Sequence, residues 1–293
     1  CIRDSLGHIA GNCLPADIQY KYERMRGRRV LMLSGSDEHG TPITVTADET
    51  GKTPQEIVDE NHEIILDSLL KMGCSWGENV DSRGADYGGA LYGRTSDPRH
   101  HELVQGVILE LHEKGFLERK TMEQFCSIRE NGTIQFLPDR YVHGKCPRCS
   151  SDGARGDQCD SCGSTYEAEE LIEPVSKLNP EDPVEVRETD HLFFRLDLLQ
   201  EDLEHHASER QRVWKPNVRS MTKNWLDMGL RPRAVTRDIE WGVSIPLDDD
   251  VWASKRVYVW FDAVQGYLTC ARIWGEQHAN MSAEGTTKDI WKK

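Results

Sequence analysis

The apolar run Arg29-Val30-Leu31-Met32-Leu33 is followed directly by the small and polar residues Ser34-Gly35-Ser36-Asp37-Glu38-His39-Gly40. An apolar run of this length predicts a buried strand, as in parallel sheets. A buried strand that leads through a small-residue loop to a helix is typical of an α/β fold with a parallel sheet. Ligands of such sheets bind at the carboxyl ends of the strands, so we expect the chemistry in this loop.

Helical patterns surround this strand on both sides. A first helix is predicted to begin near His8 and to end at Gly27. The capping box Thr53-Pro54-Gln55-Glu56 opens a second helix, which we expect to reach about Met72. A third helix opens at Asp97-Pro98 and ends at Gly115. Its apolar face is predicted to comprise Leu103, Val107 and Leu111.

The pattern changes after about Leu117. Short strand-like runs, turns and paired cysteines continue to about Pro183 and indicate an inserted module. A helix is predicted near 217–228, before Gly229. The run from Arg256 to Phe261 then predicts another buried strand, which ends at Asp262-Ala263. The layout is therefore part of a sheet, an insertion, and a return to the sheet.

Composition excludes several classes of protein. The chain has 293 residues and a net charge of −14, which argues against a nonspecific nucleic-acid coat, and we expect no DNA partner. Arg24, Arg26, Arg28 and Arg29 form a local basic group, for which a solvated turn is the favoured interpretation. No stretch reaches the roughly 18–20 apolar residues of a membrane helix, so we expect no membrane partner. The nine cysteines, an odd number, favour a reducing cytoplasm over a disulfide framework.

The most specific chemical signal is a doubled cysteine pair. Cys146-Pro147-Arg148-Cys149 and Cys159-Asp160-Ser161-Cys162 are separated by nine residues. Two Cys-x-x-Cys loops supply the four thiolates of a closed tetrahedral shell, which is the geometry of structural zinc. Two disulfides or a redox pair are the alternatives, and doubled pairs at short spacing fit metal better. We predict one zinc ion that stabilises the module and takes no part in catalysis.

Three weaker signals indicate a ligand site. Gly7-His8 stands at the start of the first helix, where free N–H groups suit a phosphate, although plain capping is the commoner role. Asp37 follows the predicted strand and suits a ligand ammonium group, whereas an ordinary loop is the alternative. Trp260 and Tyr267 suit an apolar pocket with polar edges, and an aromatic core edge is equally compatible.

Together and in order, these motifs resemble the methionyl-tRNA synthetase family of class I aminoacyl-tRNA synthetases. The run from Gly35 to Pro42 is similar to that family's Gly-Thr/Ser-Asp-Glu-His-Gly-Thr-Pro motif, and Ser5-Leu6-Gly7-His8 stands at its His-x-Gly-His signature. Further similar segments are Phe136–Val142 before the cysteines, His191–Phe194 after them, Thr236–Asp238 and Tyr258–Ala263. The resemblance extends from about Leu6 to Tyr267.

The resemblance implies a Rossmann-type catalytic domain interrupted by a connective insertion that carries the zinc knuckle. We place the first half of the catalytic domain at 1–117 and the insertion at 118–235, with the knuckle at about 140–170. The return to the catalytic domain is placed at 236–293. The implied activity is ATP-dependent formation of methionyl-adenylate, followed by transfer of the methionyl group to tRNA(Met).

Residue roles are implied position by position. His8 and Gly7 would contact the nucleotide phosphates and backbone, and Arg237 would meet the phosphate side of ATP, which Mg²⁺ accompanies. Asp37 would bind the methionine ammonium group. Trp260, Ala263 and Tyr267 would line the amino-acid site. The partners implied are ATP, L-methionine and tRNA(Met).

The sequence also departs from the family pattern. Ser5 replaces the first His of the class signature, Val264-Gln265 stands where many members have Pro-Ile, and no second set of knuckle cysteines is present. The mobile Lys-Met-Ser-Lys-Ser loop is absent, and the first residue is Cys1 rather than Met. Loss of such a preorganised cationic group typically costs on the order of 10²–10³ in rate. We therefore expect a fragment with little activity alone.

Three alternative functions remain open from sequence. One is a class I synthetase for leucine, valine, isoleucine or cysteine. Another is a non-catalytic zinc-ribbon binding protein, which would need only the residues near 140–170. The last is a catalytically dead synthetase-like scaffold, which Ser5 and the missing loop keep under consideration.

Overall fold

The computed structural model describes residues 6–76, 88–129, 132, 134–137, 141–155, 159–164, 166 and 170–278. The helices are α1 (Leu6–His8), continued by a π-helical segment (Ile9–Cys13), α2 (Leu14–Met25), α3 (Thr41–Thr50), α4 (Pro54–Lys71), α5 (Pro98–Glu113), α6 (Gln200–Arg210), α7 (Pro216–Asp227), α8 (Val259–Ala263) and α9 (Gly266–His278). The strands are β1 (Val30–Ser36), β2 (Gly88–Arg94), β3 (Leu117–Ile128), β4 (Ile134–Phe136), β5 (Val142–Lys145), β6 (Ala154–Arg155), β7 (Ile172–Ser176), β8 (Val184–Phe194), β9 (Arg233–Ala234), β10 (Thr236–Arg237) and β11 (Arg256–Val257).

The chain divides into two compact units. The first comprises Cys1–Ile108, Glu240–Pro246 and Val257–Lys293. The second comprises Leu109–Ile239 and Leu247–Arg256. Each unit therefore combines segments that are distant in sequence. The division of the chain into 1–117, the insertion at 118–235 and the return at 236–293 stays a prediction.

The first unit is built on the parallel strands β1 and β2, which pair from Val30↔Gly88 to Ser36↔Arg94. Helix α2 packs against β1, and α9 packs against both strands. This arrangement confirms the α/β class. Strand β1 ends at Ser36, three residues beyond the predicted end, because Gly35 allows close pairing: a Cβ there would lie 2.7 Å from the Gly93 carbonyl oxygen.

The helices of the first unit follow their predicted boundaries closely. Both hydrogen bonds of the Thr53–Glu56 capping box are present at the start of α4. The predicted face of α5 is displaced by one residue: Val104 and Ile108 are fully buried, whereas Leu103, Val107 and Leu111 are half-buried. His100 lies on the same buried face as Val104 and Ile108, where its ring contacts the hydroxyl group of Thr269. Because histidine is polar, the hydrophobic pattern alone did not indicate this face.

The strand predicted from Arg256 to Phe261 is wrong beyond Val257. Only Arg256–Val257 forms a strand, and Val259–Ala263 forms the short helix α8 after the extended residue Tyr258. The amide groups of Phe261 and Asp262 both donate to the Tyr258 carbonyl, which closes the helical turn. Short apolar runs do not distinguish a buried strand from a buried helix by periodicity alone.

The two sheets of the second unit described below have antiparallel strands. Strands β3 and β8 pair along nearly their whole length, and β4 and β9 extend the sheet to the order β4-β3-β8-β9. A smaller sheet has the order β6-β5-β7. The prediction of short strands between about Leu117 and Pro183 is thus partly wrong, since β3 spans 12 residues. The helix predicted near 217–228 is confirmed as α7.

Candidate active site

A pocket of about 300 Å³ lies at the carboxyl edge of β1 and β2, within the first unit. The two strands end at the paired residues Ser36 and Arg94, and both residues line the pocket. This edge is where open α/β sheets bind their ligands. Helices α8 and α9 also line the pocket, through Trp260, Ala263 and Tyr267.

Asp37 follows β1 directly and lines this pocket. Its side chain is open to the pocket, yet the surrounding protein displaces much of its water. This desolvation, with the charge of Asp262 as the second cause, raises the pKa of Asp37 to about 6. The predicted ammonium-binding carboxylate therefore lies in a pocket of suitable size, beside a second acidic group.

The neighbouring Glu38 points away into a buried hydrogen-bond cluster. Its carboxylate accepts hydrogen bonds from the hydroxyl groups of Ser36 and Ser96 and from Arg94 Nε at 2.9 Å. Burial tends to raise the pKa of Glu38, but hydrogen bonds from His62 and these hydroxyl groups lower it overall. The buried Glu38 carboxylate therefore holds the loop in place through its hydrogen bonds. Of these two acidic residues, Asp37 is the one that faces a ligand.

The backbone of this loop is fixed by two further hydrogen bonds. The amide of Glu38 donates to Thr95 Oγ1 at 2.9 Å, and the indole Nε1 of Trp241 donates to the Glu38 carbonyl at 2.7 Å. Gly40, at φ +96°, then turns the chain into α3. A loop held at consecutive positions presents Asp37 in a fixed orientation.

On the other side of Glu38, His39 joins the loop to α8. His39 Nδ1 lies 2.9 Å from Asp262 Oδ2, and both side chains are buried. The His39 Nε2 atom lies 3.3 Å from Nε2 of His101. Since Asp262 sits between Trp260 and Ala263 on α8, this contact ties the Asp37 loop to the α8 wall of the pocket.

The aromatic residues of the wall are accessible. Trp260 is 66 % exposed and Tyr267 is 52 % exposed. Trp260 therefore does not form a core edge, which was one of the two interpretations of this motif. Exposed aromatic rings beside a concave pocket suit contact with an apolar ligand group.

The remaining predicted site residues lie outside the pocket lining. Gly7 and His8 form the exposed turn of α1, and Ser5 lies outside the described residues. Arg237 belongs to the second unit, where its Nη1 donates to the carbonyls of Ala234 and Thr236. The roles of all these residues stay predictions.

Buried contacts anchor the residues on either side of Arg237. His191 Nδ1 lies 2.9 Å from Thr236 Oγ1, and His191 Nε2 lies 3.1 Å from Asp238 Oδ2. Asp238 also pairs with the buried Lys255. Burial tends to raise the pKa of Asp238, but His191 and Lys255 lower it overall. Arg237, at the end of β10, therefore stands between two residues that buried contacts hold in place.

Sequence reasoning missed three residues of the pocket, Arg94, Thr95 and Cys270. Arg94 and Thr95 follow β2, whose sequence Gly-Gly-Ala-Leu-Tyr-Gly-Arg lacks the apolar run that marks a buried strand. The signal that was available is the polar pair Arg94-Thr95 just ahead of the predicted helix start at Asp97. Cys270 lies on α9, where it resembles any small buried residue.

The four paired cysteines lie together in the second unit. Their Sγ atoms are all within 4.8 Å of one another, with Cys146–Cys162 at 3.8 Å and Cys149–Cys159 at 3.7 Å. A tetrahedron with Zn–S bonds of about 2.3 Å has edges of about 3.8 Å, so the spacing fits zinc. No disulfide joins them.

The surroundings of the cysteines also fit a thiolate shell. The amides of Arg148 and Cys149 donate to Cys146 Sγ at 3.3 and 3.4 Å. Hydrogen bonds from Ser151 and from the Cys162 backbone lower the pKa of Cys159 to about 6. Gly153 and Gly163 adopt positive φ after the two loops, as tight turns require. Pro138–Arg140 of the lead-in lie outside the described residues.

Among the described helices, none combines the length and the apolar character that crossing a bilayer would require.

Comparison with known proteins gives consistent matches. The sequence model of the family described as "tRNA synthetases class I (M)" matches residues 3–293. The methionine–tRNA ligase of Chlorobium limicola is 42 % identical over 287 residues, which are 98 % of this chain and 38 % of that protein. The methionine–tRNA ligase of Thermoplasma acidophilum is 43 % identical over 98 % of this chain and 48 % of its own length.

Among solved structures, Mycobacterium tuberculosis methionyl-tRNA synthetase bound by methionyl-adenylate superposes with a TM-score of 0.65. The sequence identity is 20 %, and the match covers 98 % of this chain and 47 % of that chain. This likeness shows the fold. The chain spans less than half the length of each of these three relatives.

Proposed function

Because the chain belongs to the class I tRNA synthetases, we propose that it carries the amino-acid activation site of a methionine–tRNA ligase. The observation that carries the proposal is the pocket at the carboxyl edge of β1 and β2, which Asp37, Trp260 and Tyr267 all line. The relatives named methionine–tRNA ligase, at 42–43 % identity, support methionine as the amino acid.

In this proposal, Asp37 pairs with the substrate ammonium group, and Trp260, Ala263 and Tyr267 surround its thioether side chain. A carboxylate oxygen of methionine attacks the α-phosphorus of ATP, the bond to the leaving oxygen breaks, and pyrophosphate departs. Gly7 and His8 on α1, and Arg237, supply contacts to the phosphates. This chemistry depends on positioning and electrostatic stabilisation rather than on a covalent nucleophile.

The rest of the reaction involves partners outside this chain. Mg²⁺ accompanies ATP and offsets the charge of its phosphates. The 3′-end of tRNA(Met) then accepts the methionyl group from the adenylate.

One structural zinc ion completes the proposal. It is held by Cys146, Cys149, Cys159 and Cys162, and it stabilises the small sheet of β5, β6 and β7 around it. The cytoplasm suits a chain with nine cysteines, an odd number that does not favour a disulfide framework.

Equilibrium binding tests the proposal directly. Isothermal titration of the chain with L-methionine should give one site, and leucine, valine, isoleucine and cysteine should bind at least tenfold more weakly. Asp37→Asn should remove methionine binding. Asp67→Asn is the matched control, since Asp67 is an exposed aspartate that pairs with Lys71 on α4.

Tighter binding of one of the other amino acids than of L-methionine would show that the chain is a class I synthetase for that amino acid. Absence of binding by any of them would contradict the activation site itself. Methionine-dependent exchange of pyrophosphate into ATP is the second readout, because it requires ATP and the amino acid to bind together.

A further inference from the structure

One guanidinium group in the pocket has no role in the assignments above. Arg94 ends β2, directly beside Ser36 at the end of β1, and it lines the same pocket as Asp37. A cation and an anion therefore face one cavity from the ends of two adjacent strands. An α-amino acid carries the complementary pair of charges, an ammonium and a carboxylate.

Arg94 is held so that part of its guanidinium remains available. Its Nε donates to Glu38 Oε2 at 2.9 Å, and its Nη2 donates to Asp59 Oδ1 at 2.6 Å. No residue in the described part of the chain contacts Nη1 within hydrogen-bond distance. The side chain is 27 % exposed. Two fixed nitrogens determine the plane of the guanidinium, and thus orient the third nitrogen in advance.

Glu38 does not depend on Arg94 for its own hydrogen bonds. Its two carboxylate oxygens also accept from the hydroxyl groups of Ser36 and Ser96, and His62 Nδ1 lies 3.4 Å from Oε1. Asp59 is 49 % exposed and lies on α4. A purely structural clamp would not require an arginine that opens into the cavity.

We propose that Arg94 binds the carboxylate of the amino-acid substrate while Asp37 binds its ammonium group, so that the pocket recognises both charged groups of a free α-amino acid. The inference rests on the proposed function. It assigns a binding and specificity role, and it adds no covalent step to the reaction. A guanidinium that already pairs with two carboxylates contributes orientation more than net attraction, because its charge is largely compensated.

The test compares two ligands that differ only at the carboxylate. L-Methioninol keeps the ammonium and thioether of L-methionine but has a neutral hydroxymethyl group in place of the carboxylate. Arg94→Lys should weaken L-methionine binding about 10- to 100-fold, as expected for lost charge-assisted hydrogen bonds, and should leave L-methioninol within twofold. Arg99→Lys is the matched control, since Arg99 pairs with Asp97 and does not line the pocket.

A second variant leaves Arg94 itself intact. Asp59→Asn, at an exposed position, removes one compensating charge from the guanidinium and should strengthen L-methionine binding at least twofold while leaving L-methioninol unchanged. An equal loss for both ligands in Arg94→Lys, or no loss for either, would overturn the inference. No effect of Asp59→Asn on L-methionine would also overturn it.

The controls separate this inference from the proposed function. If the unmodified chain binds L-methionine and L-methioninol equally well, the activation site stands and the carboxylate assignment fails. If it binds neither, both fail.

Discussion

Nδ1 of His39 lies 2.9 Å from Oδ2 of Asp262, although 223 residues separate them, and their side chains are 1 % and 0 % exposed. Burial is the main reason that the pKa of Asp262 is raised, and His39 acts in the opposite direction. The other carboxylate oxygen, Oδ1, has no partner within the described ranges. The pair joins the Asp37 loop to α8, and it adds a buried contact to the hydrogen bonds that Thr95 and Trp241 make with Glu38.

Breaking this pair should destabilise the first unit strongly. Asp262→Ala leaves His39 Nδ1 buried without this partner, and a buried polar group that loses its hydrogen bond costs about 1–3 kcal/mol. We expect the midpoint of urea unfolding, followed by circular dichroism, to fall accordingly. Glu276→Ala breaks the exposed Arg272–Glu276 pair on α9 and should leave the midpoint unchanged. Equal midpoints for the two variants would show that the buried pair adds no stability.

Methionine binding should weaken as the pH falls through about 6. The pKa of Asp37 is raised to about 6, so the carboxylate is charged above this pH and progressively neutral below it. A neutral acid no longer attracts the substrate ammonium, and affinity should fall up to tenfold per pH unit. Tryptophan fluorescence titrations between pH 5 and 8 measure this. Asp262, His39, His101 and Arg94 also lie nearby, so variants must identify the titrating group.

Two variants assign this pH dependence. Asp37→Asn should bind weakly at every pH and show no break near pH 6. Asp262→Asn removes the charge that helps to raise the pKa of Asp37. In this variant the fall in methionine affinity should therefore begin at a lower pH. A break at the same pH in all three proteins would place the titration elsewhere.

The cysteine cluster should hold one zinc ion per chain. Elemental analysis of the purified chain should give a zinc ratio near one, and Cys149→Ser should reduce it well below that value. Removal of zinc by a chelator should destabilise the β5–β6–β7 sheet, because Cys146 and Cys159 belong to the same buried cluster as Val142 of β5 and Ala154 of β6. Cys13→Ser changes a cysteine outside the cluster and should keep one zinc. A ratio near two would contradict the single closed site.

The sequence sufficed for features that depend on local rules. The α4 capping box, the strand that begins at Val30 and the helix near 217–228 each follow from signals within a few residues. The cysteine cluster was predictable for the same reason, because two short loops fix two ligands each. Asp37 could be selected because it follows a recognisable strand.

Features that depend on distant partners were not predictable. The aromatic run before Asp262 fits a strand or a helix, and in the helix Asp262 meets His39, a partner that the local sequence does not reveal. Arg94 went unnoticed because glycines obscure β2, and its place in the pocket follows from its register with Ser36. Hydrophobic periodicity contains no information on which strand ends become neighbours.

The close approach of β2 and α9 gives a last prediction. A methyl group at Gly93 would overlap Cys270 Sγ, whose thiol donates to the Ser34 carbonyl at 3.5 Å. Burial raises the pKa of Cys270 to about 11, so the thiol remains neutral near pH 7 and keeps the proton that it donates to Ser34. Gly93→Ala should therefore cost about 1–3 kcal/mol, as overpacking of a filled core does.

Removing the obstructing sulfur should recover this loss. In the double variant Gly93→Ala/Cys270→Ala, the nearest atom of residue 270 would be its Cβ, at 4.0 Å from the new methyl group, which is ordinary contact. A double-mutant cycle from urea unfolding should give a favourable coupling between the two substitutions of at least 0.5 kcal/mol. Additive effects would mean that the backbone of β2, rather than the Cys270 thiol, limits the space at Gly93. They would also mean that β2 can shift at this wall of the pocket.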